Sequence, residues 1–259
     1  VIEFFHHLQL RIDATLCHLL SQVGLQLGRI ADRQLAEARL LHDAFHDPLT
    51  KLPNRAFFLD RLQRAISRRQ RFGNYKFAVL FIDLERFKIV NDSLGHTAGD
   101  SLIRHIGERL SATLQEKFST ASYSEFKSVL ARAGSDEFVV LLEYIENPQD
   151  VLTVIARIHQ ALALPFVIHE QAVHVSISIG VASPDNQLSA DEILRNADLA
   201  MYEAKRQGGG HVQFFDQTMH DKALKRLLVE NDIRHALQQQ QFVLFYQPIV
   251  SLETGQIVG

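Results

Sequence analysis

The chain has 259 residues, 46% hydrophobic and 22% charged, enough apolar material for one large domain or two small ones. A formal net charge of −3 supplies no basic field, which argues against nucleic-acid binding and against attraction to an anionic membrane surface. No run approaches the ~20 consecutive apolar residues that span a bilayer. The single cysteine, Cys17, rules out an internal disulfide and agrees with a reducing cytoplasm; the apolar run around Leu16, Leu19 and Leu20 makes it core rather than catalytic. The chain opens on Val1 rather than Met, as expected of a piece of a longer protein.

Residues 1–5 are a short β-like run, and from 14 to 45 apolar residues recur at helical spacing through Leu20, Val23, Leu27, Ile30, Leu35, Leu41 and Phe45. One or two helices are expected there. An apolar stripe that precedes a folded domain without a core of its own buries against a partner copy or a neighbouring domain. His42 and His46 have a spacing open to a metal, but no third ligand is near, and surface and capping roles suit them better. Asp47, Pro48, Pro53 and Asn54 mark a turn, and residues 56–71 read as an amphipathic helix whose Arg68, Arg69 and Arg71 fall on a solvated end.

Residues 76–83, KFAVLFID, read as a buried strand ending on an acid. A helix over 102–118, capped by Asp100 or Ser101, should follow, then an exposed polar loop through SATLQEKFSTASYSEFKS. Residues 129–142 pair two apolar runs around Gly134, Ser135, Asp136 and Glu137, the pattern of a β-hairpin. Residues 150–162 read as a helix, 173–182 as one half-buried strand, 190–207 as a helix stopped by Gly208, Gly209 and Gly210, and 212–215 as a closing strand. A helix over 216–240 and two short strands about Thr254 and Gly255 complete the chain. About five strands and five helices without strict alternation define an α+β domain, a mixed, mainly antiparallel five-stranded sheet flanked by helices.

Two stretches carry chemistry. Asp136 and Glu137 sit on the hairpin tip beside Gly134, where backbone and hard oxygens can approach a cation that carries phosphates. Taken alone, an acidic hairpin tip is most often a solvated turn. Asp83, delivered by a buried strand into a segment bearing Lys88, Asn91 and Asp100, supplies a complementary half-site, because Mg²⁺ needs only one or two carboxylates beside substrate phosphates.

HDPLTKLPNR (46–55), FIDLERFKIVNDSLGHTAGD (81–100), RAGSDEF (132–138), SISIGVA (176–182) and ADLAMYEAK (197–205) stand in the order and spacing of the GGDEF domain. Over about residues 43–216 the chain resembles a diguanylate cyclase. The resemblance implies a ferredoxin-like nucleotide-cyclase palm in which two GTP molecules meet across a homodimer and each 3′-hydroxyl attacks the other's α-phosphate. By resemblance Asp83, the Leu84 carbonyl and Asp136 hold Mg²⁺ or Mn²⁺, and Glu137 assists near the reacting hydroxyl or a second metal. Asn91 and Asp100 read guanine, Gly134 and Ser135 approach the nucleotide, and Phe87, Lys88 and Lys205 line the triphosphate. Phe87 is equally explained as core packing and Lys205 as a solvated helix end. Residues 1–45 are similar to the end of a GAF sensor domain, 46–216 form the GGDEF domain, and 217–259 resemble a linker helix and the truncated start of an EAL phosphodiesterase.

Four residues, at three places, depart from the family pattern. Ser135 replaces the second hairpin glycine, Gly209 stands where an Arg is frequent, and Glu125 with Ser128 occupy the places of an Arg-x-x-Asp product site. They leave open an alternative, a GTP-binding domain of little activity that controls a downstream EAL domain.

Overall fold

The computed structural model describes residues 14–115, 127–183, 188–245 and 247–257. The expected strand at 1–5 and the candidate product-site residue Glu125 lie outside them, as do the side chains of Cys17 and His42. The chain divides into two compact units, 1–215 and 216–259.

The first unit is built around β1 (Phe77–Leu84), a β-branched and aromatic run buried along its whole length. It lies between β3 (Glu137–Glu143) and β6 (Ile177–Ala182), both antiparallel to it; β2 (Lys127–Arg132) pairs with β3, and β7 (Val212–Phe214) runs parallel to β6. The order β2-β3-β1-β6-β7 is the expected five-stranded, mainly antiparallel mixed sheet. Helices cover both faces. Ala78, Leu80, Ile82 and Leu84 face a core shared with α4 (His96–Gln115) and α5 (Pro148–Ala163). Phe77, Val79 and Phe81 face the other core, shared with α2 (Arg55–Arg71) and α6 (Ala190–Arg206). The period-2 alternation therefore aims Asp83, the next residue in that phase, toward α6.

Local chemistry sets the boundaries. Asn54 caps α2 by accepting the Phe57 N–H at 3.1 Å, and Ser189 with Glu192 forms a capping box on α6. α1 (Ala14–Phe45) is one continuous helix of 32 residues, and its Leu19, Val23, Leu27 and Ile30 are exposed. Residues 46–54 turn back under it, with His46 bridged to Pro53.

Several elements differ from expectation. The helix expected to start after Asp100 begins at His96, so Asp100 lies inside α4 and caps nothing; α3 (Phe87–Leu94) ends on Gly95, and the new helix restarts at once. The start of the expected polar loop, 111–115, belongs to α4. The single strand expected over 173–182 is interrupted: β4 (Phe166–Ile168) and β5 (Gln171–Val173) form a separate hairpin, and β6 starts at Ile177. Arg68 is not on a solvated end. It donates to the buried Glu143 at 3.1 Å and lies over the Tyr75 and Tyr144 rings, and Arg61 and the Tyr75 hydroxyl also donate to Glu143.

The second unit holds α7 (Thr218–Gln238), with Leu224, Ile233 and Leu237 exposed. The two strands expected after it reduce to an isolated bridge, Val250 to Ile257. A lone hairpin without a further strand or helix to cover its apolar face is marginal in water. Among the described residues no helix is long and apolar enough to cross a membrane.

Candidate active site

The end of β1 and the β2–β3 hairpin meet because Asp83 is the register partner of Glu137, and the Leu84 N–H donates to the Asp136 carbonyl at 3.2 Å. Three carboxylates thus gather at one sheet end. α6 crosses that end and brings Lys205, whose Nζ stands 2.6 Å from Asp83 Oδ1. Lys205 is therefore an ion-pair partner within the site and not a solvated helix end. The ammonium therefore sits directly on an oxygen of a buried carboxylate.

Burial pushes the Asp83 carboxyl up to about 6, opposed by Lys205 and reinforced by Asp136 and Glu137. Glu137 is raised by burial, then by Asp198 and Asp136. Burial pulls Lys205 down, but the Asp83 carboxylate, with Glu85 and Asp136 behind it, outweighs this and holds the ammonium above its usual value.

The hairpin tip is tied down. Arg132 donates to Asp47 at 3.0 Å and to the Ser135 carbonyl at 2.7 Å, and the pair with Asp47 links the tip to the turn after α1. Burial opposes ionisation of Asp47, but Thr50 and Arg132 prevail and hold its carboxyl below the usual range. Ser135 is exposed, with its hydroxyl donating to Asp136 Oδ1 at 2.5 Å. Its backbone is not among the positive-φ residues, so the turn accepts a side chain there. At Gly134 a Cβ would collide with the Glu137 carboxylate.

The remaining candidates lie where β1 passes into α3 and α4. Phe87 is half-buried against the sheet core, which supports its packing role, and Lys88 is exposed. Asn91 and Asp100 come from consecutive helices joined at Gly95. Arg86 enters α3 with φ of 57°, a conformation unusual for a residue with a side chain.

Sequence reasoning missed three features. Glu85 accepts the hydroxyl of fully buried Ser178 and packs against Gly209, where a Cβ would come within 2.9 Å of its carboxyl carbon. Gly209 has φ of 73°, so an Arg placed there is strained and must displace Glu85. A cleft of about 510 Å³ beside Glu137 is lined by Arg55, Arg195 and Asp198, and another of about 480 Å³ beneath the turn into α3 by Glu85, Arg86, Phe87, His174 and Gly209. The acid two residues after Asp83 was the available signal for Glu85. Nothing in the sequence marked Arg55 or Asp198 as neighbours of Glu137.

A mixed sheet with acids at one strand end, a lysine from the crossing helix and two adjacent clefts defines a nucleotide-cyclase type of palm. The model of the family described as "Diguanylate cyclase, GGDEF domain" matches residues 44–211, and the chain belongs to that family, whose domains occur in cyclic di-GMP signalling proteins. The bifunctional diguanylate cyclase/cyclic di-GMP phosphodiesterase MucR of Pseudomonas aeruginosa is 40% identical over 225 residues, 86% of this chain and 31% of MucR. The cyclic di-GMP phosphodiesterase PdeR of Escherichia coli is 36% identical over 224 residues, 86% of this chain and 32% of PdeR. The chain spans about a third of the length of these relatives. The solved GGDEF domain of TpbB (YfiN) from Pseudomonas aeruginosa matches with a TM-score of 0.62 and 36% identity, covering 69% of this chain and 99% of that one.

Proposed function

We propose that residues 46–216 form a diguanylate cyclase that condenses two GTP molecules into cyclic di-GMP and pyrophosphate, one GTP bound by each protomer of a homodimer. The observation that carries this reading is the convergence of Asp83, Asp136, Glu137 and Lys205 at one sheet end, next to the helices that bear Asn91 and Asp100.

Among the described residues no group of three or more His, Cys, Asp or Glu side chains is arranged to hold a metal. Two carboxylates and one carbonyl still fit Mg²⁺ or Mn²⁺, hard cations that take oxygen donors and leave most positions to water and phosphate. Asp83, the Leu84 carbonyl and Asp136 would hold the ion, which would neutralise triphosphate charge when bound. Lys205 offers its ammonium to the same phosphates, and exposed Lys88 adds a second cation. Glu137, raised by burial and like charge, is suited to receive a proton from the 3′-hydroxyl. Asn91 meets the N2 and N3 edge of guanine, Asp100 accepts from N1 or N2, and Gly134 and Ser135 flank the nucleotide. The exposed stripe of α1 supports pairing with a second copy.

A second reading, a GTP-binding domain of little activity that controls a downstream EAL domain, is favoured by two observations. Glu85 holds a carboxylate against Gly209 where a phosphate donor is frequent, and Ser135 engages the Asp136 oxygen. On either reading we assign residues 1–45 to a linker helix at the end of a GAF domain, 217–259 to the start of an EAL domain, and the whole to the cytoplasm. Incubation of the purified protein with GTP and Mg²⁺, with products resolved by chromatography, tests the proposal. Cyclic di-GMP supports the cyclase, Mg²⁺-dependent GTP binding without product supports the regulator, and no GTP binding overturns both.

A further inference from the structure

Gly99 is buried in the second turn of α4, immediately before Asp100. Glycine is a poor choice inside a helix, since it adds backbone entropy and contributes no packing. Its neighbours explain it. A Cβ at position 99 would collide with Asn91 Oδ1, and would stand 3.0 Å from Asn91 Cγ and 3.2 Å from Phe87 Cζ. Two residues of α3, Phe87 and Asn91, thus rest on α4 at Gly99. α3 has only eight residues, none fully buried, and no side-chain cap at its start, so its seat on α4 fixes where Asn91 points.

We infer that Gly99 is a positioning residue for nucleobase recognition: its missing side chain seats the Asn91 amide against α4, next to Asp100, so that both groups address one guanine. This rests on the guanine-site reading above. Asn91 and Asp100 must read adjacent positions of one planar base, so their separation has to be held by the fold. The α3 and α4 contact at Gly99 holds it. The colliding atom is the free end of a flexible side chain, so an alanine at 99 would push the amide aside rather than break the helix pair. Alanine is also the better helix former. Gly99→Ala should therefore leave stability equal or higher while guanine recognition falls, a combination that a purely structural glycine would not produce.

The test compares the full chain with Gly99→Ala, Asn91→Ala and the double variant. Calorimetry with Mg²⁺ uses the 3′-deoxy forms of GTP, ITP and ATP, which cannot react, and thermal melts are recorded in parallel. Expected are a GTP affinity about tenfold weaker in Gly99→Ala, the scale of one lost hydrogen bond to a base, and a smaller preference for GTP over ITP, which lacks the N2 amine. Melting temperature should be unchanged or higher. In the Asn91→Ala background the Gly99 substitution should add nothing. Equal GTP affinity in Gly99→Ala and wild type, or a loss that persists undiminished in the double variant, overturns the inference and leaves the guanine site standing. A wild type that binds GTP no better than ATP overturns the guanine reading and this inference with it.

Discussion

Asp83→Asn should stabilise the metal-free protein while destroying its proposed chemistry. Burial raises the Asp83 carboxyl from its ordinary 3.8 to about 6. Because the folded state then binds the proton more tightly than the unfolded chain, the acid costs nothing below the unfolded value, where both states are protonated. The cost grows as pH rises from the unfolded value to the folded value and is complete above the latter. About two units correspond to roughly 3 kcal/mol, an upper figure for the gain from a neutral side chain of the same shape. For a domain of this size that is on the order of 6–12 °C in Tm. Lys205 keeps Glu85 and Asp136 as charge partners in the variant, which limits the loss of its ion pair. Thermal melts in a chelating buffer at pH 4, 6 and 8 check this: the variant should gain most at pH 8 and nothing near pH 4. An equal or lower Tm at pH 8, or a difference independent of pH, would refute the reasoning.

Asp136→Asn should weaken Mg²⁺-dependent GTP binding at least tenfold by calorimetry, since half of the proposed carboxylate pair is gone; unchanged affinity removes the assignment. Ser135→Gly frees the Asp136 oxygen from its hydroxyl and should raise the initial rate of cyclic di-GMP synthesis at saturating GTP, with equal, substantial rates counting against any obstruction by Ser135. Gly209→Arg should not raise that rate further, because a side chain at φ of 73° is strained and meets Glu85; a clear increase would show that the carboxylate yields. Tyr75→Phe removes a 2.6 Å donor to buried Glu143 and should cost about 1–3 kcal/mol in denaturant unfolding; no change would mean that Arg61 and Arg68 satisfy that carboxylate alone.

The sheet was legible because its strands announce themselves. FAVLFIDL is buried on both faces and carries an acid, Asp83, one residue before its end, and the Gly134 to Glu137 segment between apolar runs has the form of a hairpin turn. The β4–β5 hairpin was not legible, because its turn uses His169 and Glu170 at positive φ, a conformation associated with Asn and Gly. The start of α4 was misplaced because Gly95 reads as a loop residue, whereas it ends one helix and the next starts at His96. Long-range charge pairing is invisible in a linear pattern: Lys205 with Asp83, and Arg68 with Glu143, depend on which helix crosses which strand end.

The members of the site are dispersed along the chain, and this bears on how the protein unfolds. Asp83, Asp136 and Lys205 sit on a central strand, a hairpin and a late helix, and are brought together only when the long loops between them have closed. No partial fold contains the complete site. A nucleotide bound at the proposed site would act as a cross-link between both halves of the sheet, and its binding free energy would be added to the stability of the whole domain rather than to one loop. Hydrogen exchange in β1, β3 and β6 should then slow together on ligand binding, because the amides of all three strands become exposed through the same global opening.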